Sequence, residues 1–149
     1  IGDLSFFYDM NAIWNRYVGK NVRILVNNNF GGALFHSSYY KQIKTYPNID
    51  RHIAAEHQIS IRGWAESRGF QYLSASNKDE FDTAMKEFVK EDSQQPIVIE
   101  TFTDKEVDIR QMNVVLNSFR PAAEKNITAV ASKLPEPIKR KIKKLIGRH

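Results

Sequence analysis

The chain has 149 residues, with 22 Lys and Arg against 17 Asp and Glu, and no Cys. That length suits one domain with its own core, and 42% apolar against 26% charged residues excludes wholesale disorder. The lack of cysteine excludes a disulfide scaffold and any thiolate metal site, and no apolar run reaches the roughly 20 residues that span a bilayer. No basic-then-apolar leader opens the chain, so a cytoplasmic protein is the expectation.

The net charge of +5 is unevenly spread. Residues 1–119 carry 13 basic and 15 acidic groups, whereas 120–149 carry 9 basic and 2 acidic groups. The body is nearly neutral, so no nucleic-acid partner is expected. Ile1 stands directly before Gly2-Asp3, and the expectation is a domain truncated at its N-terminus.

In chain order, Ser5 to Tyr17 has helical spacing at Phe6, Phe7, Met10, Ile13, Trp14 and Tyr17, with Ser5 as cap and Gly19 as stop. Val22 to Val26 is a short β-branched run and reads as a strand. Asn27 to Asp50 is long, polar and aromatic-rich, an irregular loop with a helical turn or two. Helical spacing returns over Ala54 to Arg68, stopped by Gly69, and Phe70 to Leu73 is a strand. Ser76 caps a helix over Asn77 to Glu91 with Asp79 and Glu80 in its first turn. Pro96 to Phe102 is the clearest strand, and Asp104 to Phe119 a last amphipathic helix closed by Pro121. This alternation predicts an α/β fold, a parallel sheet with helices on both faces. In such sheets ligands bind beyond the carboxyl ends of the strands. If Ile1 ends a strand, Gly2-Asp3-Leu4-Ser5 and Asn27 to Gly32 both lie there.

Together these two clusters can hold a metal and a phosphate. Gly2 allows close backbone approach, Asp3 supplies a hard anionic oxygen, and the Ser5 helix start favours an anion. Asn28 and Asn29 supply amide oxygens, and Gly31 and Gly32 expose carbonyls in sharp turns. One carboxylate, one amide oxygen, one carbonyl and phosphate oxygens suit octahedral Mg²⁺.

Gly2-Asp3 followed about 25 residues later by an Asn-Asn pair resembles the metal-diphosphate motif of thiamine diphosphate enzymes. The runs Gly-Asp-Leu-Ser-Phe-Phe-Tyr-Asp-Met-Asn-Ala-Ile and Val-Asn-Asn-Asn-Phe-Gly-Gly-Ala-Leu-Phe resemble the MenD-like (SEPHCHC synthase) branch. That branch has a Leu where many relatives have a third motif Gly, as Leu4 is here, and an Asp-x-Asn pair matching Asp9 and Asn11. The resemblance covers most of residues 1–120 and implies thiamine diphosphate and Mg²⁺ as cofactors. It implies that Asp3 ligates Mg²⁺ and that Gly2, Leu4 and Ser5 meet the diphosphate. Aligning Gly31 to Phe35 with the family's Gly-Gly-x-Ile-Phe stretch selects Asn29 and the Gly31 carbonyl as further metal ligands. The other register selects Asn28 and the Phe30 carbonyl, and the Asn29 register is preferred because its following glycine fits the tight turn. Leu34 matches a cofactor-facing position, Phe35 a substrate-facing one, and His36 sits where a substrate loop belongs.

The resemblance further implies a 2-keto acid substrate, a decarboxylase/carboligase reaction, and a homodimer or homotetramer. The family's activating Glu belongs to a pyrimidine-binding domain of a partner chain, which these residues do not include. The fragment alone is therefore expected to be inactive, with missing N-terminal domains of the same chain as partners. The family pair of 2-oxoglutarate and isochorismate is not carried over. A sibling of acetolactate synthase-like or phosphonopyruvate decarboxylase-like type is one alternative, and a non-catalytic subunit another.

The remaining candidates read more plainly. His52 and His57 lack a third ligand for zinc and read as structural or surface groups. Arg51 and Arg62 read as solvated helix faces, and Trp14 and Trp64 as core or interface aromatics. The expected division is a partial cofactor-binding domain over 1–121 and a basic helical tail over 122–149. In the tail, Ile138, Ile142, Leu145 and Ile146 share one helical face among six basic residues from Lys139 to Arg148. Docking on a missing domain or subunit is preferred there to a membrane surface.

Overall fold

The computed structural model describes residues 1–40, 43–119, 135, 137 and 138. The chain divides into two compact units, 1–113 and 114–149. In the second unit the Ile138 N–H donates to the Pro135 carbonyl at 3.0 Å. Otherwise the expected tail helix over 122–149 lies outside the described residues.

The first unit is built on three strands, β1 (Arg23–Asn28), β2 (Gln71–Ala75) and β3 (Ile97–Phe102). They are all parallel, in the order β1-β3-β2, with Leu25 and Leu73 both opposite Ile99. Ile1 and Gly2 lie along the free edge of β1. The Ile1 amino group donates to the Leu25 carbonyl at 2.8 Å, the Asn27 N–H donates to the Ile1 carbonyl at 2.9 Å, and Gly2 bridges Asn27 in the parallel sense.

Side chains alternate across the sheet with a period of two. Ile24, Val26 and Val98 face one side, where α1 (Asp3–Asp9) brings Phe6 and α3 (Arg62–Ser67) brings Ala65 into one cluster with Ile61 and Phe70. The opposite face meets α4 (Lys78–Phe88) and α5 (Lys105–Ser118). There the Arg23 Nε donates to the Phe88 carbonyl at 2.7 Å, and Asn27 Nδ2 donates to Asp108 at 3.0 Å. Helices on both faces are what the alternation predicted. Val26, Ile61, Ile97, Val98 and Ile99 are all but fully buried, each removing apolar surface worth about 2 kcal/mol from water.

Three helix boundaries depart from the sequence reading. The first helix starts at Asp3 with Gly2 as cap, so Ser5 lies inside it, and it gives way to a 3₁₀ turn at Met10–Ile13. Beyond that, Asn15 makes its own turn: Oδ1 accepts the Tyr17 N–H at 2.9 Å and Nδ2 donates to the Ala12 carbonyl at 3.0 Å. These local bonds compete with helix continuation, and Trp14 and Tyr17 are left exposed.

The second departure is larger. The stretch read as one helix over Ala54 to Arg68 is helical only at α3, with a short α2 (Ile49–His52) before it. Its first half bonds elsewhere: the Ala54 carbonyl accepts the Gly32 N–H at 2.7 Å and the His57 N–H donates to the Phe30 carbonyl at 3.1 Å. Ala55 sits at φ +45°, outside any right-handed helix. The third departure is the α4 cap. It is Asn77, whose Oδ1 accepts the Glu80 N–H at 2.9 Å while Glu80 Oε2 accepts the Ser76 N–H at 2.8 Å. The long loop after β1 is irregular as read, with 3₁₀ turns at Ala33–His36, Ser38–Tyr40 and Ile43–Thr45.

Candidate functional site

At the carboxyl end of β1 the chain opens a cavity of about 660 Å³, lined by the Gly2–Ser5 turn, Asn29, Gly31 to Phe35, and Asp108, Gln111 and Met112 of α5. Gly2, Asp3, Leu4, Ser5, Asn29, Gly31, Leu34 and Phe35, far apart in sequence, thus share one wall. His36 is not in that lining. Its Nε2 instead lies 2.8 Å from Asp50 Oδ1.

Asp3 is buried where α1 begins. Its Oδ1 accepts the Leu4 N–H at 2.7 Å and its Oδ2 accepts the Gly31 N–H at 2.9 Å, pinning the two motif segments together. His57, from the segment before α3, places Nε2 3.2 Å from Asp3 Oδ2, although misaligned for a full hydrogen bond. Its Nδ1 accepts the Ile59 N–H at 3.1 Å, so the ring hydrogen sits on Nε2, towards Asp3. The rings of Phe7 and Phe30 stand edge-on to the imidazole at centroid distances of 5.2 and 6.1 Å.

Side-chain direction separates the three asparagines, of which Asn27 and Asn28 end β1 and Asn29 follows it. Asn27 and Asn29 point towards α5, and Asn28 points to the other face, fully buried. Asn28 Nδ2 donates to Glu100 Oε1 at 2.6 Å and to the Ile59 carbonyl at 3.0 Å, and its Oδ1 accepts the Phe30 N–H at 3.0 Å. Those bonds occupy the amide away from the cavity. Asn29 lines the cavity, with its Nδ2 given to Asp108 Oδ2 at 2.7 Å. No protein donor meets the Asn29 Oδ1 among the described residues.

The turn between them needs its glycine. Phe30 sits at φ +63° and Gly31 at φ +149°, and a Cβ on Gly31 would stand 2.9 Å from the Ala54 carbonyl oxygen. The close approach that excludes a side chain here also holds Gly31 in the cavity wall.

Sequence reasoning passed over Glu100 and Asp108, and it read His57 as a structural or surface group. Glu100 is fully buried on β3, where it receives Asn28 Nδ2, Ser60 Oγ at 2.6 Å, the Ile61 N–H at 3.1 Å and Tyr72 Oη at 2.6 Å. Burial and that bond push the Tyr72 phenol up to about 12. The signal was a lone charge in the apolar run Ile97 to Phe102, at the inward parity of Val98. Asp108 and His57 carried no such signal, because their partners lie far away in sequence. Outside the cavity lining, the Lys105 Nζ lies 3.1 Å from Asp50 Oδ1 and 3.2 Å from Glu56 Oε1. The Lys105 hydrogen bond, helped by His36, holds the Asp50 carboxyl below its usual value. Burial lowers the Lys105 pKa, but Asp50 and Glu56 more than reverse that, so it is raised.

Among the described residues the cavity lining includes Asp3 and Asp108 and no Lys, Arg or His. Such a wall repels an anion by itself and attracts a divalent cation. No His, Asp and Glu group able to hold a metal unaided occurs among the described residues. A metal bound here would draw on amide and carbonyl oxygens and on its ligand. By donor chemistry Asp3, Asn29 and Gly31 can offer hard oxygens to a magnesium-diphosphate pair, the Gly31 carbonyl also accepting the Ala33 N–H at 2.9 Å.

A parallel sheet with helices on both faces and a cavity at its carboxyl edge is an α/β ligand-binding fold. No family model matches the chain. It is 46% identical over 115 residues to a 2-succinyl-5-enolpyruvyl-6-hydroxy-3-cyclohexene-1-carboxylate synthase of Phocaeicola vulgatus, covering 72% of this chain and 19% of the relative. It is 44% identical over 117 residues to the synthase of that name from Bacteroides thetaiotaomicron, covering 74% and 20%. With the Desulfotalea psychrophila synthase the identity is 36% over 105 residues, covering 70% and 19%. The chain belongs to this MenD-like family of thiamine diphosphate-dependent enzymes, and it spans about a fifth of the length of the curated relatives it matches. The acetolactate synthase-like and phosphonopyruvate decarboxylase-like alternatives are not favoured. Among the described residues no helix is long and apolar enough to cross a membrane.

Proposed function

We propose that the chain is the diphosphate- and magnesium-binding portion of a cytoplasmic 2-keto acid decarboxylase/carboligase of the SEPHCHC synthase type, serving menaquinone biosynthesis. The observation that carries this is the acid-lined cavity, which Asp3, Asn29 and Gly31 line together and which no cationic side chain lines among the described residues. In this reading residues 1–121 form part of a cofactor domain and 122–149 an appended basic segment. Asp3, Asn29 and the Gly31 carbonyl hold Mg²⁺, and Gly2, Leu4 and Ser5 meet the diphosphate.

Bound thiamine diphosphate supplies an electron sink for decarboxylating a 2-keto acid. The residues of this chain bind and orient. Asp3, clamped between the Leu4 and Gly31 N–H groups, keeps its carboxylate at the cavity wall. Asn29 turns its amide oxygen away from Asp108. Leu34 and Phe35 give the cavity an apolar side. The activating Glu comes from another domain of a partner chain in a homodimer or homotetramer, so the fragment alone is inactive.

The test is thermal stabilisation of the full-length protein by Mg²⁺ with thiamine diphosphate. At 100 times the dissociation constant a native-state ligand adds about 2.7 kcal/mol. Asp3→Ala is expected to abolish the shift. A shift of equal size in the variant refutes the assignment.

A further inference from the structure

We infer that Asp108 is a positioning residue that sets which end of the Asn29 amide faces the cavity, and with it the affinity of the site for its metal. The inference rests on the magnesium-diphosphate reading above. The two ends of a carboxamide are nearly the same size and opposite in character, so an unrestrained Asn presents an oxygen or an NH₂ group with little steric preference. An NH₂ group turned towards a cation repels it. A partner that fixes the orientation beforehand spares the metal the cost of turning the amide, and so raises its affinity.

Asp108 makes that choice. It projects from the first turns of α5, a helix anchored where the Asp104 Oδ1 accepts the Val107 N–H at 2.8 Å. Its Oδ2 lies 2.7 Å from Asn29 Nδ2, 3.0 Å from Asn27 Nδ2 and 2.6 Å from Thr103 Oγ1. A carboxylate only accepts, so both amides must turn their NH₂ groups towards it. Flipping Asn29 would set two lone-pair oxygens 2.7 Å apart, a repulsive contact. The Oδ1 of Asn29 is thus directed away from Asp108. Asn27 is held the same way, its Oδ1 lying 3.1 Å from the hydroxyls of Thr101 and Thr103, and it braces Asp108 from the strand side. The pattern is that of an outer-shell carboxylate orienting a metal-facing group, reached here through 79 residues of sequence separation.

The experiment measures Mn²⁺ affinity in the full-length protein at saturating thiamine diphosphate, reading the free ion by electron paramagnetic resonance well below the melting temperature. Asp108→Ala is expected to weaken Mn²⁺ binding about 10- to 100-fold, the usual effect of losing an outer-shell partner. Asp108→Asn keeps an acceptor at the Oδ2 position and is expected to stay within about fivefold of the unsubstituted protein, the difference between a charge-assisted and a neutral hydrogen bond. In an Asn29→Ala background, Asp108→Ala is expected to cost no further affinity, because its effect passes through Asn29. Asp108→Asn losing as much as Asp108→Ala overturns the inference, since a direct charge on the metal would then be the cause. So does Asp108→Ala with unchanged affinity, or with a full further loss in the Asn29→Ala background. If Asp108→Ala does not fold, Asp108→Asn still decides: a loss beyond tenfold refutes positioning. An unsubstituted protein that binds no Mn²⁺ with thiamine diphosphate, and is indifferent to Asp3→Ala, refutes the magnesium-diphosphate reading itself and this inference with it. Normal binding with an inert Asp108 refutes the inference alone.

Discussion

Replacing Glu100 by Ala removes the one acceptor shared by β1, β2 and the segment that enters α3. The Ile61 N–H, on a residue with no exposed surface, loses its partner at Oε1 and costs about 1–3 kcal/mol. Asn28 Nδ2 loses its 2.6 Å bond and keeps only the Ile59 carbonyl, at roughly 1 kcal/mol more. The Ser60 and Tyr72 hydroxyls can turn towards each other or to water, so their loss is smaller. The expected total from these lost bonds is about 2–5 kcal/mol, from a domain whose whole stability is about 5–15 kcal/mol.

Glu100→Gln separates this account from simple packing. Its carbonyl can take the Oε1 position and accept from Asn28 and Ile61, while its NH₂ group meets two hydroxyls that can accept as well as donate. The cost should fall to about 1–2 kcal/mol. Urea unfolding followed by far-ultraviolet circular dichroism measures both variants. An Ala variant within 1 kcal/mol of the parent, or a Gln variant as damaging as Ala, refutes the reasoning.

Gly31→Ala should destabilise the first unit by about 1–3 kcal/mol, because the residue sits at φ +149° with its new Cβ 2.9 Å from the Ala54 carbonyl. The melting temperature reads the loss, and an unchanged value would show that the turn yields freely. The Lys105 clasp should show a pH window when the parent is compared with Lys105→Met. The Asp50 pKa is lowered in the fold, so its contribution is present above about 3.9 and lost as pH falls through the lowered value. The Lys105 pKa is raised, so its contribution is present below about 10.4 and lost as pH rises through the raised value. With Asp50 and Glu56 largely in solvent the plateau should be no more than about 1 kcal/mol. A stability difference that does not shrink at either extreme removes the electrostatic explanation.

Much of the architecture was legible because it rests on local patterning. The β-branched run at Val22 and the apolar run at Ile97 are strands in any context that buries them. The amphipathic stripe after Asn77 is a helix wherever it finds an apolar surface. The long helix read over Ala54 to Arg68 failed for a non-local reason. The carbonyl of Ala54 and the N–H of His57 are claimed by the loop of Phe30 and Gly32, and the N–H of Ile61 by Glu100. No periodicity within that stretch records those distant partners.

The site divides along the same line. Sequence alone placed Gly2, Asp3 and the asparagine-glycine cluster at strand ends and read from their chemistry a magnesium-diphosphate donor set, because residue type and strand position are local properties. It preferred Asn29 to Asn28 without excluding either. Tertiary structure separated their surroundings through side-chain direction, sending Asn28 to Glu100 in the core and Asn29 to Asp108 at the cavity. It also placed His57 beside Asp3 and turned His36 away to Asp50. Those pairings span between 14 and 79 residues of chain. The physical reason is that a hydrogen bond's partner is chosen by where the packed sheet and helices leave it, and composition and spacing carry no record of that.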